Sequence, residues 1–401
     1  MTRKKTRVLV LFGGRSPEHD VSVITGLQAL EALDPAFFEA QPVYIAPDGQ
    51  WLTGDLLRRR SIYVPGPNER KELMPVALHI GPGNRPHLMT QPRFPWQRAK
   101  EIPFDVALPA FHGLIGEDGG IQGLFETANV PYAGMRTLAS AILMDKAATK
   151  RMLAGTGVPL LPCWEIKRPQ QGLLLTPEEL APLCEDVPFP CCIKPSHLGS
   201  SIGVARVMDL QEVSDVLPSL FRYDDTAILE PFVENLVEYN VAVSCVHGEM
   251  RTSAIERPKM ASELLDFKTK YMSGDGKQGG AKMPGQGSQG MLSLTRDINP
   301  DLPPDLENSI REWAIEVFMH VGGTGAPRLD FLCNSATNEV WFNEANPCPG
   351  SFGYFLWEAA QKPLLFTELL ESLIGEAIAL HARAQIPLDP TPDDARLFPR
   401  R

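Results

Sequence analysis

No apolar run in this sequence approaches the roughly 18 residues that a membrane-spanning helix needs. The GxxxxGK[ST] loop of Walker-type nucleotide binders is also missing, and so is any internal repeat. Cysteine is sparse and unpatterned: seven copies without CxxC spacing argue against a zinc site or disulfide framework and for reduced, mostly buried thiols. Positive charge is the scarcer sign. With 38 Lys and Arg against 49 Asp and Glu, the formal net charge of −11 argues against a nucleic-acid binder, which concentrates basic residues on one face. The opening MTRKKTRVLVLFGG is basic and then apolar, as a signal peptide is. Its apolar part covers only residues 8–12, too short for an h-region, and runs straight into a glycine turn. It reads as the first strand of a cytoplasmic protein.

What is present suits a globular chain. At 401 residues and 43% hydrophobic, it has room for two or three domains, each with its own core. Residues 8–12 break at Gly13 and Gly14, and helical spacing follows at Val21, Ile24, Leu27, Leu30 and Leu33; this predicts a buried parallel strand, a glycine turn and a helix. Such a turn can offer backbone N–H groups to an anion. Glu18 beside it can hold an ammonium group or simply favour the helix dipole. Residues 41–45 and 106–109 read as further strands, whereas residues 53–100 carry little signal. The strand at 106–109 opens into FHGLIGEDGGIQG, which carries His112, Glu117 and Asp118. Functional loops lie at the carboxyl ends of parallel strands, so this loop and the Gly13 turn are expected to line one crevice. The alternative is that His112 and Glu117 only stabilise their own turn.

Met144-Asp145-Lys146 opens a helix in which Lys146 is a surface charge or a phosphate ligand. An apolar strand at 189–193 then ends in Lys194-Pro195, and the small-residue loop Gly199-Ser200-Ser201-Ile202-Gly203 returns to Val204 and Val207. Strand, glycine loop, strand can close over a triphosphate as a flap with Lys194 as its point charge, or it is an ordinary exposed hairpin. The strand at 227–233 runs out through Glu230, Phe232 and Val233, with Glu238 opening the next one. That arrangement suits an adenine ring and ribose hydroxyls, although any edge strand has a similar look. Residues 267–290 contain seven glycines and few apolar residues; a loop of this length in a compact domain is usually functional or disordered. Finally, residues 328–332 and 340–344 alternate with period 2 around a polar turn at 334–338, which predicts a hairpin. One of its faces carries Arg328, Asp330, Glu344 and Asn346 together. Carboxylates and an amide oxygen are hard ligands suited to Mg²⁺, and an arginine beside them neutralises phosphoryl charge. The alternative is a solvated hairpin whose acids face water.

Taken in order, LFGGRSPEHDVS, HGLIGEDGGIQG, MDK, IKPSHLGSSIGV, KYMSGDG, RLDF and NEANPCPG resemble the motifs of the D-alanine–D-alanine ligase family of the ATP-grasp superfamily. Each piece is weak alone; in register over nearly the whole chain they are very specific. The resemblance implies an α/β ATP-grasp fold of three α/β domains. These are an N-terminal parallel-sheet substrate domain over 1–134, a central ATP-grasp subdomain over 135–229, and a C-terminal subdomain over 230–401 with a lid loop at 267–290 and the metal site. ATP lies between the last two. The matched motifs then imply that Lys146 and Lys194 contact ATP phosphates, with Ser200, Ser201 and Gly203 on the flap. Glu230, Phe232, Val233 and Glu238 hold adenosine. Asp330, Glu344 and Asn346 bind two Mg²⁺ ions, with Mn²⁺ as a substitute. Glu18 takes the ammonium group of the first amino acid, aided by His112. Arg328 and the backbone at Gly350 stabilise the acyl phosphate and the tetrahedral species. Lys270 and Tyr271 belong to the lid, with Tyr271 linked to Glu18 and Ser200.

The implied activity is ATP-dependent joining of two D-alanines through an acyl phosphate for peptidoglycan, by a cytoplasmic homodimer with neither nucleic acid nor membrane as partner. A ligase of specialised metabolism with another second substrate is the alternative of the same chemistry. A non-catalytic ATP-binding or regulatory protein is the alternative of another class. One departure matters: five residues after Gly350 the family usually places a small hydroxyl that helps to bind the second substrate's carboxylate, and this chain has Phe355. A phenylalanine cannot donate a side-chain hydrogen bond. Either Ser351 or a backbone amide substitutes, or the second substrate differs.

Overall fold

The computed structural model describes residues 4–63, 72–80, 86–172 apart from 93 and 95, 174–199, 202–259, 296–384 and Ala395, and these form three sheets. In the first, β1 (Thr6–Gly13), β2 (Phe38–Ile45), β3 (Trp51–Thr53), β4 (Met74–Leu78), β5 (His87–Thr90), β6 (Glu101–Pro103) and β7 (Val106–Pro109) run in the order β6-β5-β4-β3-β2-β1-β7. Pairing is parallel only where β1 meets β2 and β7. The antiparallel remainder comes from the stretch that was silent in the sequence. The reason β1 is apolar from Val8 to Phe12 is that it has cover on both faces: Val8, Val10 and Phe12 join one core while Leu9 and Leu11 join another.

The second sheet holds β8 (Trp164–Lys167), β9 (Cys191–Pro195), β10 (Ala205–Val207) and β11 (Thr226–Pro231), ordered β10-β9-β11-β8 and antiparallel. Strand β9 begins two residues later than the apolar run suggests, since Pro190 has no N–H to give a ladder. The third sheet holds β12 (Leu236–Val246), β13 (Glu249–Pro258), β14 (Arg296–Ile298), β15 (Arg328–Asn334) and β16 (Glu339–Asn346), ordered β14-β13-β12-β15-β16. Helices Thr137–Met144 and Pro304–His320 cover one of its faces through Leu143, Ile310, Val317 and Phe318. The long helix Phe366–Ala384 packs Leu369, Leu370 and Leu373 into the same core as Val8, Val10 and Phe12 of the first sheet.

All seven cysteines are free thiols. No helix among the described residues is long and apolar enough to cross a membrane. The lid at 267–290, including Lys270 and Tyr271, lies outside the described residues, as do Ser200 and Ser201.

Candidate active site

The hairpin β15–β16 forms, and its register does what the alternation required. Arg328 pairs with Asn346 and Asp330 with Glu344, so all four side chains share a face. Asn240 of β12 pairs with both Asp330 and Glu256 of β13. Glu256, Asn240, Asp330 and Glu344 therefore stand in one polar row across four strands. Arg328 grips Asp330 bidentately, with Nε donating to Oδ1 at 2.7 Å and Nη2 to Oδ2 at 2.7 Å, and Asn346 Nδ2 donates to Oδ2 at 3.0 Å. Burial pushes the Glu238 carboxyl up to about 7, helped by the negative charges of Asp330 and Glu344.

A lysine cluster faces this row. Asp145 caps the helix Lys146–Leu153 by accepting the N–H groups of Ala147 at 3.0 Å and Ala148 at 3.1 Å. The cap places Lys146 at the helix start, where its Nζ donates to the Leu198 carbonyl at 2.7 Å and lies 2.9 Å from Glu344 Oε2. One turn on, Lys150 Nζ is 2.7 Å from Glu230 Oε1, and Lys194 Nζ is 2.7 Å from Glu230 Oε2 and donates to Asn343 Oδ1 at 2.7 Å. Glu230 is 1% exposed, so it is a buried carboxylate shared by two buried ammonium groups. Burial alone would lower the Lys194 pKa; the charge of Glu230, its hydrogen bond and the charge of Glu344 together outweigh burial and raise it. Burial likewise works to raise Glu344, yet Lys146 and Lys194 hold it below the usual carboxylate range.

Loops at the carboxyl ends of β1 and β7 supply the remaining wall. At Gly113, with φ +72°, a Cβ would sit 2.4 Å from Glu18 Oε2, so the backbone passes directly against that carboxylate. Glu117 accepts the Gly113 N–H at 2.6 Å and the Cys348 N–H at 2.8 Å, tying the loop to the segment before Gly350. Ser351 N–H donates to Thr25 Oγ1 at 3.0 Å, and Thr25 Oγ1 lies 2.8 Å from His112 Nε2. Thr25 Oγ1 and His112 Nε2 thus share a hydrogen bond whose direction follows the imidazole tautomer.

Burial pushes His112 down to about 4 from 6.5. As pH falls through that window the unfolded chain takes up a proton that the folded site refuses, so stability is lost on acidification. His112→Gln is expected to remove up to about 3 kcal/mol of that dependence. Urea unfolding across the window checks it, and parallel slopes for both proteins would exclude His112 as the source.

These elements enclose a cavity of about 980 Å³. Glu18, His112, Lys146, Lys194, Glu230, Phe232, Val233, Glu238, Arg328, Asp330, Glu344, Asn346 and Gly350 all line it. Two sequence candidates do not. Gly203 has φ +76° and packs against Leu220 and Pro195, which makes it a turn residue of the β9–β10 hairpin. Ser351 gives its hydroxyl to Gln28 of the helix His19–Ala32. Other lining groups had escaped notice: Asn343, Glu256 and Arg296, and behind them Lys150. Of these only Lys150 left a trace in the sequence, four residues after Lys146 and so on the same helix face.

The description "D-ala D-ala ligase N-terminus" fits residues 7–135 and "D-ala D-ala ligase C-terminus" fits residues 152–375. The chain belongs to the D-alanine–D-alanine ligase family. A D-alanine–D-alanine ligase of Enterococcus faecalis is 31% identical over 378 residues, which is 93% of this chain and 99% of that protein. Among solved structures, the D-alanine–D-alanine ligase of Coxiella burnetii matches with a TM-score of 0.74 at 25% identity, over 95% of this chain and 96% of its own. A Bacillus anthracis D-alanine–D-alanine ligase complexed with ATP shares the fold at a TM-score of 0.60 and 20% identity, over 95% and 100% of the two chains. The α/β ATP-grasp architecture thus extends across the family member described here.

Proposed function

We propose that this protein is an ATP-dependent, ADP-forming ligase that makes D-alanyl-D-alanine for peptidoglycan precursors. The reading is carried by one observation: a single cavity joins the Lys146 and Lys194 ammonium groups, the Arg328–Asp330 pair and the Glu18–His112 wall. A carboxylate is a poor electrophile, so its oxygen first attacks the γ-phosphorus of ATP, ADP leaves, and an acyl phosphate forms. The amine of a second D-alanine then attacks the acyl carbon, and phosphate leaves. Positioning and charge neutralisation are what such a reaction asks of a protein.

In this reading Lys146 and Lys194 hold the phosphates, and Glu230, Phe232, Val233 and Glu238 hold adenosine. Glu18 takes the first ammonium group with help from His112. Arg328 and the Gly350 N–H face the oxyanion of the tetrahedral species. Asp330, Glu344 and Asn346 suit a magnesium site, because hard oxygen donors meet there; burial, and after it the charges of Asp330 and Glu344, push the Glu238 carboxyl up. Bound there, two Mg²⁺ ions would supply neutralisation of the phosphate charge. Ser200, Ser201, Lys270 and Tyr271 keep their flap and lid roles as part of the proposal, and so do domain boundaries near 134 and 229. A homodimer in the cytoplasm belongs to it too, on the strength of the family resemblance.

Phosphate release with ATP, Mg²⁺ and a panel of D- and L-amino acids tests the proposal. D-alanine alone is expected to support turnover with dipeptide as product. One observation, Phe355 in place of a hydroxyl, favours a second reading with a different acceptor. Activity that ignores D-alanine and needs another amino acid would establish that reading instead.

A further inference from the structure

We propose that Arg296 binds the carboxylate of the second amino acid, in place of the hydroxyl that position 355 lacks. The argument starts from the sheet. Strands β16 and β14 are its two edges, and Lys146 and Lys194 reach Glu344 and Asn343 on β16. Arg296 stands on β14, at the other edge, and lines the same cavity. The phosphate end thus has its own cations, and Arg296 is a positive charge remote from them.

Two independent contacts fix the guanidinium. Its Nη1 donates to Glu256 Oε2 at 2.9 Å, and Glu256, at 1% exposed, accepts the Asn240 Nδ2–H on its other oxygen at 3.1 Å. Its Cζ lies 4.8 Å from the centroid of the Phe355 ring. The residue that cannot donate a hydrogen bond therefore serves as a platform for one that can. A guanidinium carries five N–H donors in a planar fork matched to a carboxylate. Among the described residues Glu256 takes the only hydrogen bond from Arg296, while the side chain is 34% exposed into the cavity. Phe355 is the second residue of the short helix Tyr354–Glu358, which follows the turn Gly350–Gly353, and the ligase reading puts Gly350 beside the acyl carbon. An acceptor whose amine faces that carbon then has its carboxylate in the direction of Arg296.

The inference rests on the ligase reading, and kinetics separate the two. On that reading D-alanine fills two sites, so saturation is expected in two steps with separate KM values. Arg296→Met is expected to raise the second KM about 30-fold or more, since it removes one partner of a charge pair, while the first KM and that for ATP stay close to wild type. Arg296→Lys, a point charge without the fork, should fall between. Wild type should reject D-alaninamide as acceptor in favour of D-alanine, and Arg296→Met should lose most of that preference; a purely structural role would not move this ratio. Arg296→Met leaves Glu256 buried and unpaired, so Arg296→Met/Glu256→Gln, with its thermal midpoint, controls for folding and should show the same KM split. A second KM that stays put, or two KM values that rise together, overturns the inference while the ligase reading stands. Wild-type protein that makes no dipeptide from D-alanine overturns both.

Discussion

Glu344→Gln is expected to abolish measurable turnover and leave the fold intact. Glu344 Oε2 is the contact of Lys146 at 2.9 Å, and its strand neighbour across the ladder is Asp330. The amide keeps the volume and one acceptor but removes the negative charge that Lys146 and Lys194 stabilise. Loss of an anionic ligand weakens the neutralisation of a transferring phosphoryl group, an effect on the order of 100- to 1,000-fold in kcat. Steady-state phosphate release at several Mg²⁺ concentrations, with a melting curve to certify the fold, measures it. A near-normal rate at low millimolar Mg²⁺ would remove Glu344 from the metal assignment.

Glu230→Gln is expected to strike stability as hard as Glu344→Gln strikes rate. Lys150 and Lys194, each 7% or less exposed, both take their countercharge from this one carboxylate. Removing one partner of a buried pair leaves an uncompensated charge and costs about 3–5 kcal/mol. Urea denaturation gives the number. Adding Lys150→Met should recover part of the loss, because it takes away one stranded ammonium, and the two changes should be non-additive. A loss under about 1 kcal/mol, the range of an exposed pair, would mean that water reaches the cluster.

What the sequence disclosed followed the range over which its signals act. Period-2 alternation around a polar turn was enough to put Arg328, Asp330, Glu344 and Asn346 on one face, and the observed register has them there. Apolar runs ending in glycine turns likewise located β1 and β7, beyond which Glu18 and His112 line one cavity, although Gly13 and Gly14 themselves do not. Strands of three to five residues such as β3, β4 and β6 are too short to show a period, and the 53–100 stretch stayed blank for that reason. Glu256 and Arg296 escaped because their meaning depends on pairing. Glu256 joins the polar row only once β13 is in register with β12, and Arg296 finds Glu256 from 40 residues away. Ser351 was misleading in the opposite sense: its hydroxyl looked free for substrate until the packing of the helix His19–Ala32 brought Gln28 to it.

The helix Phe366–Ala384 completes the core under β1. During synthesis β1 emerges more than 350 residues before this helix, which packs on the same core. Until then Val8, Val10 and Phe12 have only the helix His19–Ala32 and neighbouring strands over them, and chains with such late-closing surfaces are exposed to aggregation in the interval. Substitutions in Leu369, Leu370 or Leu373 should therefore lower the yield of soluble protein before they disturb the chemistry in the cavity.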